Sequence, residues 1–147
     1  TIKTTTSDYV GGILGYTQQN CKLTDCLNVG NLDGNINNAH AGGITGEADY
    51  RSVIMRNVSV GTNWFNPIAA HAESIVDYSD NFYYSGGTYA VLPHYTNATS
   101  VTLEQLHDKK FFEKALNLSG SIPLWQITDK SGFFPIPYHS EMEAPIQ

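Results

Sequence analysis

Five histidines raise the first chemical question. They stand as His40-Ala41, His71-Ala72, His94-Tyr95, His107-Asp108 and His139-Ser140. A zinc peptidase needs two histidines one helical turn apart, as in His-Glu-x-x-His. None of the five has such a neighbour. His40 and His71 are 31 residues apart, which can place them on adjacent strands about 4.8 Å from each other. A bridging metal is one reading of such a pair. A ladder of equivalent side chains is the preferred one, so no metal and no cofactor is expected.

The carboxylates and thiols lead to a similar place. Glycoside cleavage needs two carboxylates on one face. Asp77 and Asp80 lie close together, with Asp49 one repeat earlier. Turns are rich in Asp for geometry and solubility alone, and that reading is preferred. Cys21 and Cys26 are not a C-x-x-C pair, so zinc and thioredoxin chemistry are weak. On one strand they would stand too far apart for a disulfide, leaving two small apolar thiols. The glycine pairs lack the Lys-Ser/Thr of a phosphate loop. Asn57, Asn97 and Asn117 open glycosylation sequons, a pattern that arises readily by chance. The expectation is a non-enzyme, with no catalytic residues.

Aromatic side chains offer a binding chemistry. Trp64, Phe65, Phe82, Tyr83, Tyr84, Tyr89 and Tyr95 gather in the middle of the chain. A sugar ring would need some of them exposed, and Trp64, Tyr83 and Tyr84 are the candidate ligand contacts. Alternation places Tyr83 and Tyr84 on opposite faces of a strand. The preferred reading is that most of the group seals a core against Leu106, Phe111 and Trp125.

Composition narrows the partners. Hydrophobic residues make up 41% and charged residues 15%, against about 25% charged in an average soluble domain. Thr, Ser, Asn and Gly carry the polarity, as in a β-rich extracellular chain. The 147 residues suit one domain. The net charge of −6, with scattered basic residues, excludes a nucleic-acid footprint and disfavours an anionic membrane. No apolar run is long enough to span a bilayer. The opening Thr1-Ile2-Lys3-Thr4 reads as an excised or processed piece of a longer protein.

The elements that position these residues come from a repeat. Val10-Gly11-Gly12-Ile13-Leu14-Gly15 returns 31 residues later as Ala41-Gly42-Gly43-Ile44-Thr45-Gly46. Leu23 answers to Ile54, Leu27 to Val58, Val29 to Val60 and Gly30 to Gly61 at the same step. A period of this size signals stacked supersecondary units. The glycine pair permits a positive φ or close stacking. Ile13, Leu23, Leu27 and Val29 are expected to point inward. A third copy places Ala70-His71-Ala72-Glu73-Ser74-Ile75 opposite Ala39 to Ile44, with Glu73-Ser74 in place of the glycines. Its closing segment, Asn81 to Gly87, arrives about six residues early.

One such turn cannot bury its own Ile, Leu and Val, so parallel stacking is required. The expected fold is mainly β: a short parallel β-solenoid of about three rungs with a C-terminal cap. Residues 1–98 form the repeats and 88–98 an extended link. Residues 99–138 form the cap, with one or two short helices and a β-hairpin, and 139–147 a tail. Thr102-Leu103-Glu104-Gln105 is a capping box. The hairpin runs Leu124 to Thr128, a turn at Asp129 to Gly132, then Phe133 to Pro137. The cap is expected to cover the bottom edge, which would otherwise invite aggregation. Residues 1–9 are expected to belong to an earlier rung, beside further rungs or a partner chain.

Val-Gly-Gly-Ile-Leu-Gly-Tyr followed by Asp-Cys-Leu-Asn-Val-Gly-Asn resembles the GLUG motif. Val10 to Leu32 and Ala41 to Gly61 carry it, and the likeness runs roughly over residues 8–138. Asn81 to Gly86 looks like the variant segment that closes such arrays. The resemblance implies a β-solenoid module of a bacterial surface or secreted protein, as in adhesin-like proteins of Bacteroidetes and IgA1-specific metallopeptidases. It implies a structural or adhesion role, and it brings no catalytic residue. A carbohydrate-binding module, or an accessory domain of a secreted metallopeptidase, is the alternative. The expected partners are further rungs and a glycan or surface protein.

Overall fold

The computed structural model describes residues 2–4, 9–34, 40–72, 77–91, 98–128 and 134–138. Short strands dominate. β1 (Ile2–Thr4) is followed by a first copy of the repeat: β2 (Val10–Gly11), β3 (Leu14–Thr17), β4 (Lys22–Thr24), β5 (Leu27–Asn28) and β6 (Leu32–Gly34). The second copy holds β7 (Ala41–Gly42), β8 (Thr45–Ala48), β9 (Val53–Met55) and β10 (Val58–Ser59). The third holds β11 (Ala69–Ala72), β12 (Asp77–Ser79) and β13 (Phe82–Tyr84), and β14 (Thr99–Val101) follows. Then come α1 (Leu103–Leu106), α2 (Lys109–Phe112), β15 (Trp125–Gln126) and β16 (Ile136–Pro137).

Equivalent strands of successive copies pair in parallel. β3, β8 and β11 form one three-stranded sheet, and β4, β9 and β12 another. β5, β10, β13 and β14 form a four-stranded sheet. The register is that of the repeat: Val10 lies beside Ala41, Leu23 beside Ile54 and Leu27 beside Val58. Ile13 donates its N–H to the carbonyl of Ile44 at 3.1 Å. β1 pairs in parallel with β6, placing Ile2 beside Leu32.

The third copy is set at a different step. Tyr78 lies beside Ile54 and Phe82 beside Val58, a step of 24 instead of 31. Asn66, not Glu73, stands beside Gly42, and Ile68 takes the place opposite Ile44 through the Ile44 N–H. Asn66-Pro67 therefore replaces the glycine pair, and Glu73-Ser74 lies outside the described residues. The early closure follows from shortening before the corner, so everything after it moves up together.

The corners explain the glycines. A Cβ on Gly12 would collide with the Gly43 carbonyl, and one on Gly43 with the Pro67 carbonyl. Gly12 and Gly43 thus supply close stacking, while a Cβ on Gly11 or Gly42 would strike the carbonyl of Leu14 or Thr45 in its own corner; none of the four has a positive φ. Left-handed backbone falls instead on polar residues that repeat: Asn20 and Arg51, then Asp25, Arg56 and Asp80. At Arg51 and Arg56 this costs about 1–2 kcal/mol of steric strain each, while Asn and Asp adopt it more readily.

Three apolar cores result among the described residues, the smallest made of Val10, Leu32, Ala41 and Trp64. Leu23, Ile44, Ala48, Ile54, Ile68, Tyr78 and Tyr83 pack between the sheets. The second core lies on the opposite face of the four-stranded sheet. There Val58, Val60, Phe82 and Val101 pack against Leu106, Phe112, Leu116, Trp125, Phe134 and Ile136. Leu27 joins this second core, and Val29 is exposed, so neither points inward as expected. Ile13 is 44% exposed while Ile44 and Ile68 are fully buried. The reason is that the described residues stack on only one side of Ile13.

The C-terminal segment is placed accordingly. It covers the broad face of the four-stranded sheet, where an edge cap was expected, because Leu27, Val58, Phe82 and Val101 make that face apolar. Trp125 reaches as far as the first copy, donating its indole N–H to Asp25 at 3.1 Å. Thr102 and Gln105 form the expected capping box at α1. β15 and β16 pair antiparallel as the hairpin requires, and its turn at 129–133 is outside the described residues. The repeat sheet extends through Val101, past the expected boundary at 98.

Candidate functional site

The outer face of the β3-β8-β11 sheet gathers the polar chemistry. Alternation turns Thr17, Ala48 and Ala72 inward and leaves Tyr16, Glu47 and His71 outward. These three are register partners, one from each copy. Tyr9 and His40 enter the same face from the segments before the corners, where the Val10 N–H binds the His40 carbonyl at 2.9 Å.

The rings touch in sequence. The Tyr9 and Tyr16 ring centroids are 5.2 Å apart at a tilt of 53°. His40 stands edge-on to Tyr9 at 4.9 Å, and His71 is 6.3 Å beyond His40. Glu47 lies between the imidazoles, its Oε2 at 3.4 Å from His40 Nδ1 and 3.9 Å from His71 Nδ1. The Tyr16 hydroxyl donates to Asp49 Oδ2 at 3.1 Å. That bond, then lesser desolvation and the charges of Asp49 and Glu47, hold the Tyr16 phenol above its ordinary range. Asp49 Oδ1 accepts from the Tyr50 N–H at 2.6 Å, which fixes the carboxylate.

His40 and His71 are thus neighbours, but not as equivalents. His71 pairs across the sheet with Glu47 and Tyr16, while His40 corresponds to Tyr9. The 24-residue step of the third copy causes the difference. No group of three or more His, Cys, Asp or Glu among the described residues could hold a metal ion.

The other expected site residues disperse. Trp64 is 0% exposed, packed with Val10, Leu32 and Ala41, and its indole N–H donates to the Gly30 carbonyl at 2.9 Å. Tyr83 is buried in the core between the sheets. Tyr84 does face the opposite way, yet the C-terminal segment covers it. Trp64 and Tyr83 offer no open ring face, because each fills a core, whereas Tyr84 is partly buried at the margin of the second. Gly30 and Gly61 stack so closely that a Cβ on Gly61 would strike the Gly30 carbonyl.

Cys21 and Cys26 are free and half-buried, and burial first, then the Asp25 charge, pushes the Cys26 thiol up. Asp77 is exposed at the start of β12 and Asp80 holds a left-handed corner. His107 stands edge-on to Phe134 at 6.3 Å, and His94 and His139 lie outside the described residues.

Sequence reasoning missed Tyr9, Tyr16 and Glu47. Their signal was the repeat itself, since 9 and 40, and 16 and 47, are one period apart. Comparison with protein-family models, curated proteins and solved structures gives no match.

Proposed function

We propose that this chain is a non-catalytic structural and adhesion module of a bacterial cell-surface or secreted protein. In this reading its sheets form a short parallel β-solenoid of about three rungs, with the helices and hairpin as a C-terminal cap, and its repeats belong to the GLUG type. The observation that carries the reading is the parallel register of equivalent residues, Leu23 beside Ile54 beside Tyr78. The open side of the first copy, with Ile13 and Leu14 exposed, then receives a further rung of the parent protein or of another chain. Rigid stacked layers suit spacing and display, and they need no reactive group.

Interchangeable layers make a direct test. Deleting residues 10–40 joins Tyr9 to Ala41 and removes one whole period. The shortened chain is expected to keep a β-type circular dichroism spectrum and a cooperative melt, with a smaller urea m-value. A chain that no longer folds would show that the copies are not equivalent layers. Turnover of a peptide or glycoside substrate that copurifies with the folded protein and is lost on heating would overturn the non-catalytic assignment.

A further inference from the structure

We propose that the open edge of the first copy seats one more parallel β-layer of the same polypeptide, the layer whose last strand is β1, and that this layer carries a glycine over Gly12. The proposal rests on the stacked-layer reading above and names what the edge selects. Gly30 points to it. A Cβ on Gly61 would strike the Gly30 carbonyl of the layer before it. Gly30 holds the same place in the first copy, yet a Cβ there would meet only Asn28 Oδ1, at 3.4 Å. Its φ is not positive either, so nothing among the described residues requires glycine at this position. A carbonyl from a preceding layer would require it.

The backbone of this edge is set for such a layer. Val53, Val58 and Val60 donate their N–H groups to the Cys21, Cys26 and Asn28 carbonyls at 2.8, 2.9 and 2.9 Å. Lys22, Leu27 and Val29 are their counterparts one period earlier, and their N–H groups line the open edge, a template for strand pairing. Cys26 turns its thiol to the Thr24 carbonyl of its own copy, so backbone bonds carry the seat. The register identifies the occupant. Ile2 donates its N–H to the Asn31 carbonyl at 2.9 Å, as Leu32 does to Thr62 at 3.0 Å. β1 thus stands to β6 as the end of one copy stands to the end of the next, and the rest of that copy lies upstream of Ile2, parallel to β3, β4 and β5. Its corner is constrained as well. A Cβ on Gly12 would strike the Gly43 carbonyl, and one on Gly43 the Pro67 carbonyl. By the same geometry a side chain over Gly12 would strike the Gly12 carbonyl. A second copy of this chain stacked head to tail is excluded, because Asn66 pairs with Gly42 and such stacking brings Pro67 over Gly12.

Fusing a second copy of residues 10–31 directly to Ile2 supplies the layer in register and leaves residues 2–147 unchanged. In the fused chain the amides of Lys22, Leu27 and Val29 of the original first copy are expected to gain about tenfold or more in hydrogen-exchange protection over the unfused protein. Gly12→Ala made only in the added copy should abolish that gain. Gly30→Ala in the original copy reads the seat a second way. It should shift the Tm of the unfused protein by less than about 2 °C, where Gly61→Ala lowers it by about 5 °C or more, and it should erase the gain in the fused chain. The proposal is overturned if Gly30→Ala costs the unfused protein as much as Gly61→Ala, if the added copy leaves those amides unprotected, or if either alanine leaves the gain intact. It is also overturned if the unfused protein sediments as an oligomer that Gly30→Ala dissolves. A folded chain lacking residues 10–40, beside an added copy that does not stack, would refute this seat and spare the layered reading; failure of the deletion variant would remove that reading itself.

Discussion

Asn57 shows how much one polar residue contributes to stacking. Its amide donates to the Leu23 carbonyl above and to Asn81 Oδ1 below, each at 3.0 Å, and accepts from the Cys26 N–H at 3.0 Å. Asn81 repeats the upward bond, reaching the Ile54 carbonyl at 2.8 Å. Both are fully buried, so each bond replaces water that cannot enter. Asn57→Ala leaves the Cys26 N–H without its acceptor and removes a donor from the Leu23 carbonyl and from Asn81 Oδ1, and is expected to cost about 1–3 kcal/mol, read from urea unfolding. A loss below about 0.5 kcal/mol would show that water takes over the ladder. The first copy has Cys26 at this position, and its thiol bonds the Thr24 carbonyl of its own copy. The upward ladder therefore ends at the first copy.

Between elements, the attachment of the C-terminal segment turns on Asp25. Arg56 grips this carboxylate through two bonds, at 2.8 and 2.9 Å, and Trp125 adds a third. Burial pushes Asp25 up, but the bonds from Arg56, Trp125 and Thr24 and the Arg56 charge together carry it below its ordinary value. A carboxylate held low in the folded state stabilises above its unfolded pKa, about 3.9. That contribution disappears as pH falls through the lower, folded value. Asp25→Asn should thus lower the Tm at pH 7, and the difference from the unaltered protein should shrink below about pH 4. A difference constant from pH 7 to pH 3 would place the stabilisation elsewhere. The capping box at Thr102 and the hairpin aromatics were legible beforehand, because both are local patterns. Which face they cover was not, because that depends on Leu27, Val58 and Phe82 turning away from the other core.

At the scale of the molecule, burial rises from the first copy to the second. Leu14 is exposed where Thr45 is fully buried, and Ile13 where Ile44 is. β8 is bonded on both sides and β3 on one. Hydrogen exchange should follow this order. Amides of Thr45–Ala48 should open only near global unfolding, with protection on the order of a hundredfold above that of Leu14–Thr17. Equal protection in both strands would mean that the exposed side of the first copy is covered in solution.

The 31-residue period alone dictated the parallel register of the first two copies, because identical spacing brings identical hydrogen-bonding groups level. It also indicated a mainly β chain, since short alternating runs between turn residues leave little else. Tertiary structure decided the rest. The step of the third copy changed because Asn66-Pro67 can occupy the glycine corner, which Glu73-Ser74 had been expected to fill. Trp64 and Tyr83 went inside, since large rings fill space wherever a core is open to them. Tyr9, Tyr16, His40, Glu47 and His71 became one surface only when three strands from three copies were laid side by side. Spacing along a chain specifies which residues can be level, but which side of a sheet stays in water depends on what packs against the other.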